Sequence, residues 1–243
     1  MSGPRLPKRA FAQAAAAPSV DGFSLVTDGK PVRTPRGGRL CVPARALAEA
    51  IAVEWNALGE WIDPQALPLT RLANTALDGT SANREAIALD LARHAEFDLL
   101  CYRAGEPAGL AELQAQQWDP MVEWAAARLG LRLTVVTGIV PVAQPPETLA
   151  ACLEQVRGLD DFSLTALHLA TSLTGSIVLG FAVVLGELDA DAAFDLAHLD
   201  EIWQAERWGA DSEAQDRLDR RRRELTDTQR FARAAAPGAN ARP

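Results

Sequence analysis

The chain has 243 residues, of which 48% are hydrophobic and 23% are charged, and its formal net charge is −8. This apolar content suffices for a sizeable core and excludes disorder of the whole chain. Charge is uneven, because residues 1–45 hold eight Lys or Arg against two Asp, so the remainder is strongly acidic. This asymmetry predicts electrostatic steering of a partner but does not identify the partner.

Cysteine usage and the N-terminus bear on the compartment. The three cysteines, Cys41, Cys101 and Cys152, are odd in number and far apart in the sequence, which is typical of a reducing environment. Residues 1–20 carry basic and Ala residues but no acid, a composition that also fits an organellar presequence. A cytoplasmic protein and an organellar one both remain open at this point.

The first predicted elements are strands. Residues 23–42 alternate apolar and polar side chains around the turn signals Asp28-Gly29 and Gly37-Gly38. Both dipeptides tolerate the positive φ that tight hairpin turns require, so two consecutive hairpins are predicted. Pro43 ends this pattern, and residues 1–43 are assigned to a small antiparallel β domain.

Beyond residue 43 the apolar spacing becomes helical. Residues 47–62 are predicted to form the first helix, and residues 84–97 the second. The segment that carries Pro64 and Pro68 is predicted to be a loop between them.

The middle of the chain predicts further helices. Residues 110–117 favour one helix, and Asp119-Pro120 is predicted to begin another, as N-cap and first-turn proline. Residues 162–185 contain no charged side chain and are long enough to cross a membrane. Polar residues and Gly175-Ser176 interrupt the segment, so two buried helices or one kinked helix are predicted in place of a membrane span.

The last elements are a capped helix and a charged one. Asp189 is predicted to cap a helix that runs to Trp208, where Gly209 ends it. From Asp211 to Arg233 the balanced charges predict a solvated helix. The fold class is therefore α+β, with residues 44–243 forming the larger, mainly helical domain.

A search for catalytic and ligand-binding motifs finds none. There is no phosphate-binding G-x-x-x-x-G-K-[ST] run and no G-x-S-x-G nucleophile elbow. The three histidines lie on separate predicted helices without metal-ligand spacing. No catalytic residue, metal ligand or cofactor is therefore assigned. A nucleic-acid-binding module that uses the basic N-terminal hairpins and a small hydrolase remain as alternative functions.

Tryptophan is the more informative residue, with six Trp against one Tyr. Most of them fit an ordinary core. One predicted helix end, however, combines the two residue types that are enriched at binding hot spots, Trp and Arg. These residues are Trp203, Arg207 and Trp208. The sequence thus favours binding through a complementary surface.

Eight segments carry motifs whose order and spacing are specific as a set, although each is weak alone. These segments are Lys8–Phe11, Asp28–Pro35, Glu54-Trp55, Leu67–Thr70, Ala76–Asp78, Asp98–Arg103, Trp118–Pro120 and Asp200-Glu201-x-x-Gln204 with Trp208-Gly209. Together they resemble the Atp-twelve family of assembly chaperones, from about residue 8 to residue 215.

The resemblance implies a small β domain packed on a larger helical domain, and a chaperone that is not an enzyme and does not hydrolyse ATP. It implies as partner the unassembled alpha subunit of the F-type ATP synthase catalytic head, held until the beta subunit replaces it. No cofactor, nucleic acid or membrane span is expected. The expected location is the bacterial cytoplasm, or mitochondria if the N-terminus is a presequence.

The same resemblance implies the residues that contact the client. Glu201, Gln204 and Trp208 are the predicted partner-binding residues, and Trp55 is a second, more structural candidate. For Glu201 the alternative is a solvated or helix-capping carboxylate.

Overall fold

The computed structural model describes residues 6–209 and 212–236. Strands occur mainly near the N-terminus, and helices dominate the rest, so the predicted α+β class is confirmed. The strands are β1 (Ala14–Ser19), β2 (Gly22–Thr27), β3 (Lys30–Pro31), β4 (Cys41–Val42), β5 (Tyr102–Arg103) and β6 (Val136–Thr137). The α-helices are α1 (Arg45–Asn56), α2 (Pro68–Asn74), α3 (Ser81–His94), α4 (Ala108–Leu129), α5 (Pro146–Arg157), α6 (Asp161–Thr174), α7 (Ile177–Leu185), α8 (Ala190–Ala197), α9 (Leu199–Trp208) and α10 (Ser212–Ala235).

The N-terminal sheet contains the first predicted hairpin. Strand β2 pairs antiparallel with β3 across Asp28 and Gly29, whose φ angles of 46° and 79° suit a tight two-residue turn. The second hairpin is reduced to one antiparallel bridge, between Arg33 and Arg39. Its returning strand, β4, pairs with β2 rather than with β3.

The sequence pattern does not predict strand β1, because its four consecutive alanines show no alternation of apolar and polar side chains. It pairs antiparallel with β2 along its whole length, from Ala14 with Thr27 to Ser19 with Gly22. Asn56, the last residue of α1, holds the start of the strand. Its amide accepts a hydrogen bond from Ala14 N and donates one to Ala14 O, each 2.8 Å long.

The first helix is shorter than the predicted span 47–62. Helix α1 buries Leu47 and Ile51 and ends at Asn56. The loop predicted around Pro64 and Pro68 is corrected in part, since Pro68 begins α2 at a first-turn position that tolerates its missing N–H.

The described residues divide into two compact units. One unit contains the described residues up to Ala82, Asp161–Thr165, and the described residues from Arg230 onward. The other contains Asn83–Asp160 and Ala166–Gln229. The division into residues 1–43 and 44–243 stays a prediction.

The predicted helix start at Asp119-Pro120 is wrong. Helix α4 runs without interruption from Ala108 to Leu129 and contains Pro120. Asp119 does not cap a helix but forms an ion pair of 2.9 Å with the buried guanidinium of Arg103. The α4 segment around Pro120 is therefore helical in the folded protein, although proline disfavours the interior of a helix.

The apolar stretch 162–185 forms two helices, as predicted. Gly175, with a φ of 68°, separates α6 from α7, and the Ser176 side chain caps α7. The wholly buried carboxyl of Asp98 accepts hydrogen bonds from Ser176 Oγ and from backbone N–H groups that include Val178. Burial raises the pKa of Asp98, and these bonds oppose the rise. Within residues 6–209 and 212–236, no helix has the length and hydropathy of a membrane span.

The charged C-terminal helix is only partly solvated, which corrects the prediction. Leu225, Thr228 and Phe231 of α10 are fully buried. Arg222 pairs with Asp191 and Asp195 of α8. Asp211, where this helix was expected to begin, lies outside the described residues.

Candidate functional site

The candidate site is built on α9. The predicted helix from Asp189 to Trp208 is divided at His198, whose φ and ψ of −116° and 26° are not helical. Asp189 caps α8 as predicted, accepting a hydrogen bond from Ala192 N. Helices α8 and α9 are therefore separate elements.

Helix α9 has two faces of different character. Leu199 and Trp203 are buried and attach the helix to the rest of its unit. Glu201, Gln204 and Trp208 are exposed. Their spacing of three and then four residues places them along one side of the helix. The structure thus brings three of the four predicted partner-binding residues together.

These three side chains line a groove between α9 and α10 with a volume of about 500 Å³. The opposite wall comes from a matching row on α10, again spaced by three and four residues. That row is Ala214, Arg217, Leu218 and Arg221.

The polar side-chain groups on the α9 wall have no hydrogen-bond or ion-pair partner among the described residues. The side chains of Glu201 and Gln204 form no hydrogen bond or ion pair with any residue that the structure describes, and neither does the indole N–H of Trp208. Trp208 is 73% exposed, although Trp is usually mostly buried. An exposed Trp beside free polar groups is the composition of a binding surface.

Charge is separated across the groove. Glu201 is on the α9 wall, whereas Arg217 and Arg221 are on the α10 wall. Arg221 donates to the carbonyl of Leu173 over 2.9 Å, which ties its guanidinium to the unit. A ligand in this groove would meet a carboxylate on one side and guanidinium groups on the other.

His198 also lines the groove. Its Nδ1 lies 3.0 Å from the Phe194 carbonyl, and its ring stacks on the Phe194 ring at 4.0 Å. Burial lowers the pKa of His198, and the hydrogen bond to Phe194 partly opposes this. The neutral ring is therefore favoured at the junction of α8 and α9.

Stacked side chains fix the end of α9. The Arg207 guanidinium lies 3.6 Å from the centre of the Trp203 ring, and Trp208 meets the same ring edge-on at 5.8 Å. Cation–π and edge-to-face contacts of this kind fix the relative orientation of the side chains that form them. Trp208 is thus exposed but held in place, which reduces the entropy lost on binding.

Trp55 belongs to the other compact unit and does not line this groove. Its Nε1 donates to Thr70 Oγ1 over 3.0 Å, and its ring packs against Phe11. Glu54, beside it, accepts hydrogen bonds from Leu69 N and Thr70 N. The surroundings of Trp55 favour its structural interpretation.

Sequence reasoning missed the α10 wall and His198. The row Ala214, Arg217, Leu218 and Arg221 has the same helical spacing as the predicted residues, and that was the available signal. The high charge of the whole segment, which predicts a solvated helix, conceals this row.

Metal-ligating side chains do not cluster in the part of the chain that the structure describes. It contains no cluster of three or more His, Cys, Asp or Glu with the geometry of a metal site. Burial raises the pKa of Cys101 and of Cys152 to about 12, so both thiols stay protonated at neutral pH.

Comparison with known proteins gives consistent results. The family model described as ATP12 chaperone protein matches residues 8–126. The crystal structure of Atp12 from Paracoccus denitrificans is 41% identical with a TM-score of 0.91, and the match covers 94% of this chain and 98% of that one. This chain belongs to the Atp-twelve chaperone family.

Two further relatives agree. The Atu1473 protein of Agrobacterium tumefaciens, a putative chaperone by its description, is 40% identical with a TM-score of 0.90, over 95% of this chain and 87% of that one. The mitochondrial protein atp12 of Schizosaccharomyces pombe is 27% identical over 201 residues, which are 78% of this chain and 69% of that protein.

Proposed function

We propose that this Atp-twelve family member is a non-enzymatic chaperone that binds the unassembled alpha subunit of the F-type ATP synthase and prevents its aggregation until the beta subunit replaces it. The observation that carries the proposal is the groove between α9 and α10, where Glu201, Gln204 and Trp208 are exposed and free to contact a partner. A chaperone that holds its client requires a surface that is partly apolar and whose charges steer the association of the client.

The proposal includes the location. A bacterial cytoplasmic chaperone fits the free cysteines, and a mitochondrial location would follow if the N-terminus is a presequence. The relatives include proteins of both bacterial and mitochondrial origin.

The nucleic-acid alternative receives less support from the basic hairpin. The Arg33 guanidinium donates to the carbonyl of Gly37 over 2.7 Å, and that of Arg36 donates to the carbonyl of Asp78 over 2.6 Å. Both are part of the local fold, and the Asp78 carboxylate accepts from Arg36 N as well. The negative charge of the Asp78 carboxylate beside Arg36 offsets part of the positive field that phosphate groups would need.

The test is the aggregation of refolding alpha subunit, followed by light scattering. We expect stoichiometric wild-type protein to suppress scattering. Trp208→Ala and Glu201→Lys should weaken client binding by roughly tenfold or more, since the loss of a hot-spot residue costs about 2 kcal/mol or more.

Matched controls separate the groove from a general surface effect. Trp61→Ala removes a Trp that is 40% exposed in the other unit, and Glu112→Lys changes the charge of an exposed position on α4. Both controls should suppress scattering like the wild type. Absence of suppression by the wild type would refute the chaperone assignment for this client.

A further inference from the structure

A second groove lies on another side of α9, among α4, α8 and α9, with a volume of about 650 Å³. That volume is within the range of ligand-binding pockets. Its lining is mainly apolar and includes Leu113, Met121, Leu196, Leu199, Ile202 and Trp203. The first groove, between α9 and α10, contains none of these six side chains.

The Trp118-Asp119-Pro120 motif builds this second groove. Trp118 Nε1 donates to the carbonyl of Leu196 over 2.9 Å, which fixes the end of α8 against α4. One turn earlier, Gln114 Nε2 donates to Asp200 Oδ1 over 2.7 Å, which fixes the start of α9. The walls are therefore held in place before any ligand arrives.

Pro120 removes one backbone hydrogen-bond donor from α4 beside the groove. A proline has no N–H, so the carbonyl four residues earlier, that of Gln116, lacks its α-helical donor. Gln116 and Pro120 both line the groove and are both exposed. A backbone acceptor at the edge of an apolar groove favours a ligand that brings an N–H donor.

The charged groups on the lining are acidic. They are Asp195 and Glu206, and no Lys or Arg is among the described residues that line the groove. The Asp195 side chain is paired with Arg222, whereas the Glu206 side chain forms no ion pair or hydrogen bond with any described residue. The free carboxylate beside the apolar floor is complementary to a basic side chain.

We propose that the second groove binds an apolar segment of the client that carries a Lys or Arg, with the basic group at Glu206 and an N–H donated to the Gln116 carbonyl. This inference rests on the proposed function, because the client is the alpha subunit. Helix α9 then contacts the client on two sides, through Glu201, Gln204 and Trp208 on one and through Ile202 and Glu206 on the other.

Site-specific photocrosslinking tests the proposal on the full chain with unassembled alpha subunit. The photoreactive residue p-benzoylphenylalanine is placed at Gln117 in the second groove, at Gln204 in the first groove, and at Glu112 as a control. Glu112 is exposed on the same helix as Gln117 but lines neither groove. We expect crosslinks from positions 117 and 204 and none from 112, with the peptide captured at 117 containing Lys or Arg among apolar residues.

Pro120→Ala adds a second readout that a purely structural role would not produce. The substitution restores the α-helical hydrogen bond to the Gln116 carbonyl, so the melting temperature should rise. Because the acceptor is then occupied, client affinity should fall by roughly three- to tenfold. Glu206→Gln should lower affinity in the same range without a change in melting temperature.

The outcomes separate this inference from the proposed function. Crosslinking at 204 without crosslinking at 117, or Pro120→Ala protein that binds the client as well as the wild type, overturns the second groove and leaves the chaperone function intact. A captured segment that is acidic also overturns it. Absence of suppression and of crosslinks at both positions refutes the proposed function together with the inference.

Discussion

The segment around Glu54 and the face of α9 around Glu201 contain the same residue types and use them differently. Glu54 and Trp55 are bonded to α2: the carboxylate accepts from Leu69 N and Thr70 N, and the indole donates to Thr70 Oγ1. Glu201 and Trp208 are exposed, and their side chains form no hydrogen bond with described residues. A sequence that combines Glu and Trp is therefore compatible with a buried structural contact and with a binding surface. The two cases differ in whether the side chains are hydrogen-bonded within the protein.

The largest expected effect is on the buried side of this comparison. Glu54→Ala leaves the N–H groups of Leu69 and Thr70 without acceptors in the interior, so the free energy of unfolding should fall by about 3 kcal/mol. For a chain of this size the melting temperature should fall by roughly 6–12 °C. Thermal unfolding followed by circular dichroism measures this.

The matched control is Glu201→Ala, which removes the same side chain from an exposed site. Its unfolding free energy should stay within about 0.5 kcal/mol of the wild type. Equal destabilisation by the two substitutions would contradict the distinction between a structural and a binding glutamate.

The next effect concerns the junction where α9 begins. Because burial lowers the pKa of His198 in the folded state, the unfolded chain binds the proton more readily. The stability that the neutral ring contributes is complete above the unfolded pKa of about 6.5 and is lost as the pH falls below it. The slope from one such group is at most about 1.4 kcal/mol per pH unit.

Urea unfolding at pH 7.5, 6.5 and 5.5 measures this slope, for the wild type and for His198→Asn. Glu201, Arg221 and Arg222 act on His198 electrostatically and are present in both proteins, as are the buried carboxyls with raised pKa. The difference between the two proteins therefore isolates the imidazole. Parallel stability profiles would contradict the prediction.

Much of the fold was predictable because local signals and tertiary structure agree. The Asp28-Gly29 turn, the division of the apolar stretch near Gly175 and the cap at Asp189 all follow from backbone chemistry that needs no partner. The exposed row on α9 was identified by family resemblance, and the structure places its members on one groove.

The remaining elements depend on distant contacts. Strand β1 is an alanine run that becomes a strand through pairing with β2 and through Asn56. Pro120 stays within α4, next to an Asp119 that pairs with Arg103. Residue propensity opposes both outcomes, so a sequence pattern alone predicts the wrong element.

The smallest expected effect shows whether pairing without burial stabilises the chain. Lys8 and Glu60 form an ion pair of 3.0 Å, but their side chains are 67% and 61% exposed. Lys8→Ala should lower the unfolding free energy by no more than about 0.5 kcal/mol, since solvent screens exposed pairs. The backbone bridge from Lys8 to Trp61 does not depend on the Lys side chain.

A double-mutant cycle with Glu60→Ala measures the coupling energy between the two side chains directly. A coupling below about 0.5 kcal/mol would mean that Glu54 contributes to stability because its hydrogen bonds are buried. Pairing alone, without burial, would then contribute little. A coupling above about 1.5 kcal/mol would show that exposed pairs also stabilise this unit, so that leaving the carboxylates of α9 unpaired forgoes a measurable gain in stability. In that case the unpaired state of Glu201 and Glu206 would argue more strongly for selection by a binding partner.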